Sequence, residues 1–252
     1  MLNPTLILDL DNTVIGDVTY QVLANLLCKK ACKPSHIKKM YSEKTGVIRP
    51  GFTQFISTLR SKIPTIKIYI YTASKKEWAL KEIKWIEQNC KIKLDRPILS
   101  RDDCLDINNK YYKSISKICK KIKNIDKNNL LIIDNNDLFI DNKDSFIKCP
   151  SYNYIYFIDL WKSIPMNTLD KPDVVAFINK LITENYMNPH NLKDISLNLE
   201  KSIKNLKWFH NKLIQINTIN SKTDNFFEII NNIISNTDIQ NINIIKNQYL
   251  KQ

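Results

Sequence analysis

Three short apolar runs, each stopping abruptly at a polar residue, limit what this chain can fold into. Leu6-Ile7-Leu8 stops at Asp9, Ile68-Tyr69-Ile70-Tyr71 at Thr72, and Leu130-Leu131-Ile132-Ile133 at Asp134. Residues apolar at consecutive rather than alternate positions belong to strands buried on both faces, the habit of parallel sheets. Helical patterns lie between them. Phe52, Phe55, Ile56 and Leu59 follow Pro50-Gly51 at helical spacing, and Ala79, Ile83, Ile86 and Cys90 do so after Ser74, a residue with N-cap chemistry. This alternation predicts an α/β fold, a doubly wound parallel sheet with helices on both faces.

With 252 residues, the chain has enough sequence for one α/β core and an appendage. Residues 17–48 exceed a simple connection and carry a helical pattern around Val22 to Leu27, so an insertion over the strand ends is expected. Residues 92–112, with Pro97-Ile98-Leu99 and Tyr111-Tyr112 around Asp106-Ile107-Asn108-Asn109, suit a small antiparallel insert, and Tyr154 to Phe157 a fifth strand. The pattern changes around Asn185 to Asn191. Beyond it Leu192, Ile195, Leu199, Ile203, Leu206, Phe209, Leu213 and Ile216 form an amphipathic stripe, and Phe226 to Ile234 form a second apolar cluster. The expected division is a main domain over 1–185 and a helical C-terminal extension over 186–252. That tail has three readings: packing on its own domain, dimerising, or binding a partner.

A net charge of +13 suits anionic partners. Heavy use of Lys, Asn and Ile also fits simple compositional drift, and both readings stand. Six cysteines without CxxC spacing or a secretory leader read as free thiols in a reducing compartment. Cys28, Cys32 and His36 recur every four residues, but no fourth ligand accompanies them, so a helix face is preferred to a zinc site. No apolar run approaches the roughly eighteen residues that cross a bilayer. The expected setting is cytoplasmic or nuclear, with no membrane.

The chemistry converges on the strand ends. In an open parallel sheet the crevice lies at the carboxyl edge, where Asp9, Thr72 and Asp134 all fall. Asp9 and Asp11 stand two positions apart as strand becomes loop, so one carboxylate can attack while the other handles protons. That pair suits phosphate monoester hydrolysis through an aspartyl-phosphate. Two anions beside a phosphate require a hard, oxygen-ligated cation, for which Mg²⁺ is the natural candidate. Thr72-Ala73-Ser74, between strand and helix, offers a hydroxyl and backbone N–H groups to phosphate oxygens. Lys113 precedes Ser114 and the pattern Ile115, Ile118, Ile122, and taken alone it reads as one more solvated lysine. Asp134-Asn135 can supply a metal-binding oxygen and a partner for Lys113. With Gly16, Gly46 and Gly51 its only glycines, the chain has no P-loop and no dinucleotide fingerprint. His36, His190 and His210 lie in helical or linker contexts, and no Ser-His-Asp set is evident.

Asp9-x-Asp11-x-Thr13, Thr72, Lys113 and Asp134-Asn135 resemble the four ordered motifs of the haloacid-dehalogenase superfamily. Arg49-Pro50-Gly51, Thr72-Ala73-Ser74, Ser100-Arg101-Asp102-Asp103-Cys104, Tyr112-Lys113 and Ile133-Asp134-Asn135 narrow the resemblance, over about residues 4–183, to the RNA polymerase II C-terminal-domain phosphatases, or NLI-interacting-factor type. The resemblance implies Asp9 as phosphorylated nucleophile and Asp11 as general acid and base, with Thr13 and Ser74 in support. It gives Thr72, Ala73 and Lys113 to the phosphate, with Asp134 orienting Lys113. It gives the Asp9 carboxylate, the Asp11 main-chain oxygen and Asn135 to Mg²⁺, and places the 92–112 insert beside the substrate groove. Asn12 stands where the family usually has Glu, and Val14-Ile15-Gly16-Asp17 replaces its usual continuation, so these departures bear on substrate. A phosphorylated protein or peptide is the first expectation. A nucleic-acid end or small molecule, without a motif to indicate it, and a catalytically silent binding module are the alternatives.

Overall fold

The computed structural model describes residues 2–16, 47–108, 110–141, 143–152, 224–239 and 241–251, together with residues 172 and 176. The chain divides into two compact units. One comprises Met1–Ile15, Ile48–Tyr152 and Asp224–Gln252; the other comprises Gly16–Val47 and Asn153–Thr223. Nearly all of the second lies outside the described residues. So do the helical pattern of 17–46, Cys28, Cys32, the three histidines, the Tyr154–Phe157 strand and the 192–216 stripe.

The first unit carries a four-stranded parallel sheet of β1 (Asn3–Leu8), β2 (Lys67–Ile70), β5 (Ile125–Asp134) and β6 (Phe146–Lys148), in the order β2-β1-β5-β6. The three apolar runs are β1, β2 and β5. Register sets Leu8 beside Ile70 on one side and Ile133 on the other, so Asp9, Thr72 and Asp134 leave the same edge. Connections run in opposite directions from β1, and Asp9 therefore stands at the topological switch point.

The pleat sends Ile7, Tyr69, Leu130 and Ile132 to one face, where Ile115, Ile118 and Ile122 of the α3 region (helix Ile115–Lys121) cover them. Leu6, Leu8, Ile68, Ile70, Leu131 and Ile133 point to the other face and are equally buried. Burial on both faces is why these runs do not alternate.

Helix α1 (Phe52–Lys62) buries Phe52, Phe55, Ile56 and Leu59, the spacing seen in the sequence, and α2 (Lys76–Cys90) buries Ala79, Ile83 and Ile86. Ser74 does not cap α2. Lys75 holds the cap position, and the Ser74 hydroxyl is drawn to a carboxylate instead. The antiparallel insert is narrower than 92–112 suggests, a hairpin of β3 (Leu105–Ile107) and β4 (Lys110–Tyr112). Leu99 belongs to the main sheet, bridging Tyr71 in parallel, with its N–H donating to the Ile70 carbonyl.

The apolar cluster Phe226 to Ile234 forms α4 (Phe226–Asn236), which packs on α1 and is followed by α5 (Asn243–Tyr249). Phe227 stacks on Phe55 with ring centroids 5.0 Å apart. Gly51, at φ 76°, makes this approach possible: a Cβ there would stand 3.1 Å from the Glu228 backbone nitrogen. For these residues, the tail packs on its own domain. Among the described residues no helix is long and apolar enough to cross a membrane.

Candidate active site

The β1–loop transition places Asp9 at the carboxyl edge, where its N–H donates to the Ile133 carbonyl. Asp9 is buried, and its Oδ1 accepts a hydrogen bond from Lys113 Nζ at 2.5 Å. The same ammonium donates to Asp134 Oδ2 at 2.6 Å. Far from being solvated, Lys113 is 1% exposed. Its backbone is fixed by the Leu138–Ile140 loop, and the Tyr71 and Phe139 rings lie 5.7 and 5.9 Å from its nitrogen. Burial alone would lower its pKa. The charges of Asp134 and Asp9 win, and Lys113 is held above its ordinary range as a permanent cation.

Around that cation the carboxyls behave as a group. Burial raises Asp9, opposed by Lys113 and assisted by the neighbouring Asp11 charge. Burial together with the Asp9 charge pushes Asp134 up to about 7, with Lys113 opposing. Burial also raises Asp11, while hydrogen bonds from Ser74 and Thr72 pull the other way. Asp11 Oδ2 accepts the Ser74 hydroxyl at 2.5 Å and the Thr72 hydroxyl at 3.1 Å. The residue as a whole is half-exposed, yet its Oδ1 is buried without a hydrogen-bond partner.

Thr72-Ala73-Ser74 is less open than its sequence position suggests. The Thr72 N–H donates to the Leu99 carbonyl and the Ser74 N–H to Thr72 Oγ1, while the Ala73 N–H meets no hydrogen-bond acceptor among the described residues. Arg101 braces this loop: its Nε donates to the Ala73 carbonyl at 2.8 Å, and its guanidinium lies over the Tyr111 ring at 4.6 Å.

Asn135, just past β5, is held reciprocally by Thr13. Its N–H donates to Thr13 Oγ1, and that hydroxyl donates back to Asn135 Oδ1, both at 3.1 Å. Behind Thr13 lies Arg49, which is fully buried and whose Nη1 donates to the Thr13 carbonyl. Two 2.8 Å hydrogen bonds pair Arg49 with Asp224 in the tail, and Tyr152, Phe226 and Phe227 surround it. Nothing in the sequence pairs positions 49 and 224, because the two meet only when α4 packs on α1.

A divalent cation fits these residues. Asp9, Asp11 and Asp134 bring three buried or partly buried carboxylates against, among the described residues, the one ammonium of Lys113, and Asp11 Oδ1 is unsatisfied. The donors at hand are all oxygens: carboxylate, main-chain carbonyl and the Asn135 amide, a set for a hard ion. Among the described residues no three or more His, Cys, Asp and Glu side chains cluster as a metal site. A cation at this edge would draw instead on an amide and a main-chain oxygen.

The family model of NLI interacting factor-like phosphatases matches residues 4–160, well over half of the chain. The chain belongs to the NLI interacting factor-like phosphatase family. It is thus a phosphatase of the haloacid-dehalogenase type. Among solved structures it is similar to Fcp1, an essential RNA polymerase II CTD phosphatase, at 20% identity over 97% of this chain and 69% of that one, with a TM-score of 0.43. An arginine-to-alanine variant of fission yeast Fcp1, bound to beryllium fluoride, gives the same values. No curated relative matches.

Proposed function

We propose that this family member is a Mg²⁺-dependent phosphomonoesterase working through an aspartyl-phosphate on Asp9, with phosphoserine or phosphothreonine in a protein as its substrate class. The observation that carries this reading is the clamp of Lys113 between Asp9 and Asp134 at 2.5 and 2.6 Å. It orients the Asp9 carboxylate by Oδ1, leaving Oδ2 to attack phosphorus, and keeps a positive charge beside the transferring phosphoryl group. On the other flank the Ala73 N–H, and the Thr72 hydroxyl once it leaves Asp11 Oδ2, would serve the phosphoryl oxygens.

As the bond from Asp9 Oδ2 to phosphorus forms, the bond to the leaving oxygen breaks and that oxygen takes a proton from Asp11. Asp11, now ionised, then removes a proton from water. The water attacks phosphorus, the bond to Asp9 breaks, and inorganic phosphate is released with both carboxyls restored. Asp9, the Asp11 main-chain oxygen and Asn135 would hold Mg²⁺, with Thr13 fixing the Asn135 amide. When bound, the ion supplies charge neutralisation at the phosphoryl oxygens and lets the dianionic substrate enter among carboxylates. The Arg101 and Tyr111 platform beside Ala73 supports an extended polypeptide substrate. A cytoplasmic or nuclear setting goes with this reading.

The test is hydrolysis of p-nitrophenyl phosphate with Mg²⁺ or with EDTA, wild type against Asp9→Asn, followed by phosphopeptides against a DNA 3′-phosphate. Metal-dependent turnover that Asp9→Asn abolishes, with preference for phosphopeptide, is expected. Folded, metal-loaded protein that turns nothing over would move the weight to a binding module, and preference for the DNA end would reassign the substrate.

A further inference from the structure

The Lys113 ammonium has three N–H donors, and Asp9 Oδ1 and Asp134 Oδ2 engage two of them. The third meets no acceptor among the described residues, so it is the one left for a phosphoryl oxygen. Its direction depends on where the main chain holds Lys113, because a flexible four-carbon stem joins the ammonium to the backbone. The loop that begins at Asp134 supplies that hold. It returns along Lys113, whose N–H donates to the Leu138 carbonyl at 2.9 Å and whose carbonyl accepts the Ile140 N–H at 3.1 Å. Between these bonds Phe139 lies with its ring 5.9 Å from the ammonium and edge-on to Tyr71. The loop then reaches Asp141, whose carboxylate takes hydrogen bonds from three successive residues directly after Lys113. Oδ2 accepts the Ser114 hydroxyl at 2.8 Å and the Ser116 N–H at 3.1 Å, and Oδ1 accepts the Ile115 N–H at 2.7 Å. Helix α3 has a cap of its own, since Ser114 Oγ accepts the Lys117 N–H. Asp141 takes the two N–H groups ahead of that one, and so fixes the stretch that joins Lys113 to the helix. In the sequence Asp141 belongs to none of the motifs and reads as one more acidic residue in a polar loop.

We propose that Asp141 is a positioning residue for Lys113, tying the 138–141 loop to residues 114–116 so that the free N–H of the ammonium is aimed at the transferring phosphoryl group. The inference rests on the role of Lys113 given under Proposed function. Asp134 grips the ammonium and Asp141 grips the chain just beyond its backbone, so the two ends of one loop hold the same lysine. An ionised carboxylate makes charge-assisted bonds to its donors, stronger than those between neutral groups. Without Asp141 the loop and the start of α3 are free to part, the Lys113 main chain shifts, and the ammonium no longer reaches its carboxylates and the phosphoryl oxygen together. A misplacement on the order of 1 Å is enough to lower a rate about a hundredfold.

The test is a double-mutant cycle. We measure kcat/KM for p-nitrophenyl phosphate with saturating Mg²⁺, well below the melting temperature of every variant, for wild type, Asp141→Ala, Lys113→Met and the double variant. Asp141→Ala is expected to lower kcat/KM about tenfold to a hundredfold in the wild-type background. It is expected to lower it less than about twofold where Lys113 is already methionine, because no ammonium is left to misplace. The same loss in both backgrounds means that Asp141 supports the fold without acting through Lys113, and overturns the proposal. A fall in melting temperature with kcat/KM unchanged overturns it too. If the alanine variant does not fold, Asp141→Asn, which keeps the shape and one acceptor oxygen, is judged by the same criteria. Wild type that turns nothing over, or Lys113→Met as active as wild type, sinks the reading of the site and this inference with it, a failure visible before Asp141 is altered.

Discussion

Replacing Asp224 with alanine tests whether the tail is built into the catalytic unit. Arg49 is buried to 0% exposure and Asp224 to 11%, and they share two 2.8 Å hydrogen bonds. Removing the carboxylate leaves a buried guanidinium uncompensated, which for such pairs costs about 3–5 kcal/mol. The rings of Tyr152, Phe226 and Phe227, at 5.6, 4.8 and 5.8 Å, remain and offset part of this by cation–π attraction, roughly 1 kcal/mol. The net expectation is a loss of about 2–4 kcal/mol, a fall in melting temperature on the order of 5–15 °C for a chain of this size. Urea unfolding of wild type, Asp224→Ala, Arg49→Met and the double variant gives the coupling directly. The double variant, with no charge left to strand, should be more stable than Asp224→Ala alone. A loss below about 1 kcal/mol for Asp224→Ala, with no coupling to Arg49, would refute the view that this pair fastens the tail.

Lys113→Met should lower kcat/KM on p-nitrophenyl phosphate roughly a hundredfold to a thousandfold, and Lys113→Arg should not rescue it, because the broader guanidinium does not fit the place of a buried point charge; steady-state kinetics decide. Thr13→Val keeps the shape but strands the Asn135 N–H, with an expected cost of about 1–3 kcal/mol and a higher Mg²⁺ concentration for half-maximal activity, read by thermal melts and a Mg²⁺ titration. The metal-free protein should lose stability as pH rises. Asp134 titrates near 7 in the fold against an ordinary 3.8, so between those values the folded state holds a proton that the unfolded state has lost. Melting in EDTA should therefore fall from about pH 5 to pH 7 and Mg²⁺ should rescue more at the upper end; a flat or rising profile in EDTA would contradict the raised carboxyls.

The sequence alone marked three strands of the sheet, though not β6, and the polar residues at their carboxyl ends, for a physical reason that can be read at particular residues. A strand buried on both faces must be apolar throughout, so Leu6 to Leu8, Ile68 to Tyr71 and Leu130 to Ile133 declared themselves, and the polar residue ending each run marked the functional edge. Local spacing likewise exposed α1 and the Ser114 start of α3. Only the tertiary structure decided the rest. Lys113 looks solvated in a lysine-rich chain until β4 and the 138–140 loop bury it between carboxylates 104 and 21 residues away. Ser74 had the chemistry of a cap, but a carboxylate 63 positions earlier competes for its hydroxyl and wins. Leu99 joined the main sheet because Tyr71 offered it an edge. Arg49 and Asp224 meet across 175 residues because α4 packs on α1. Hydrophobic periodicity is a local property of the chain, whereas the charge, burial and reach of a side chain depend on which distant segment folds over it.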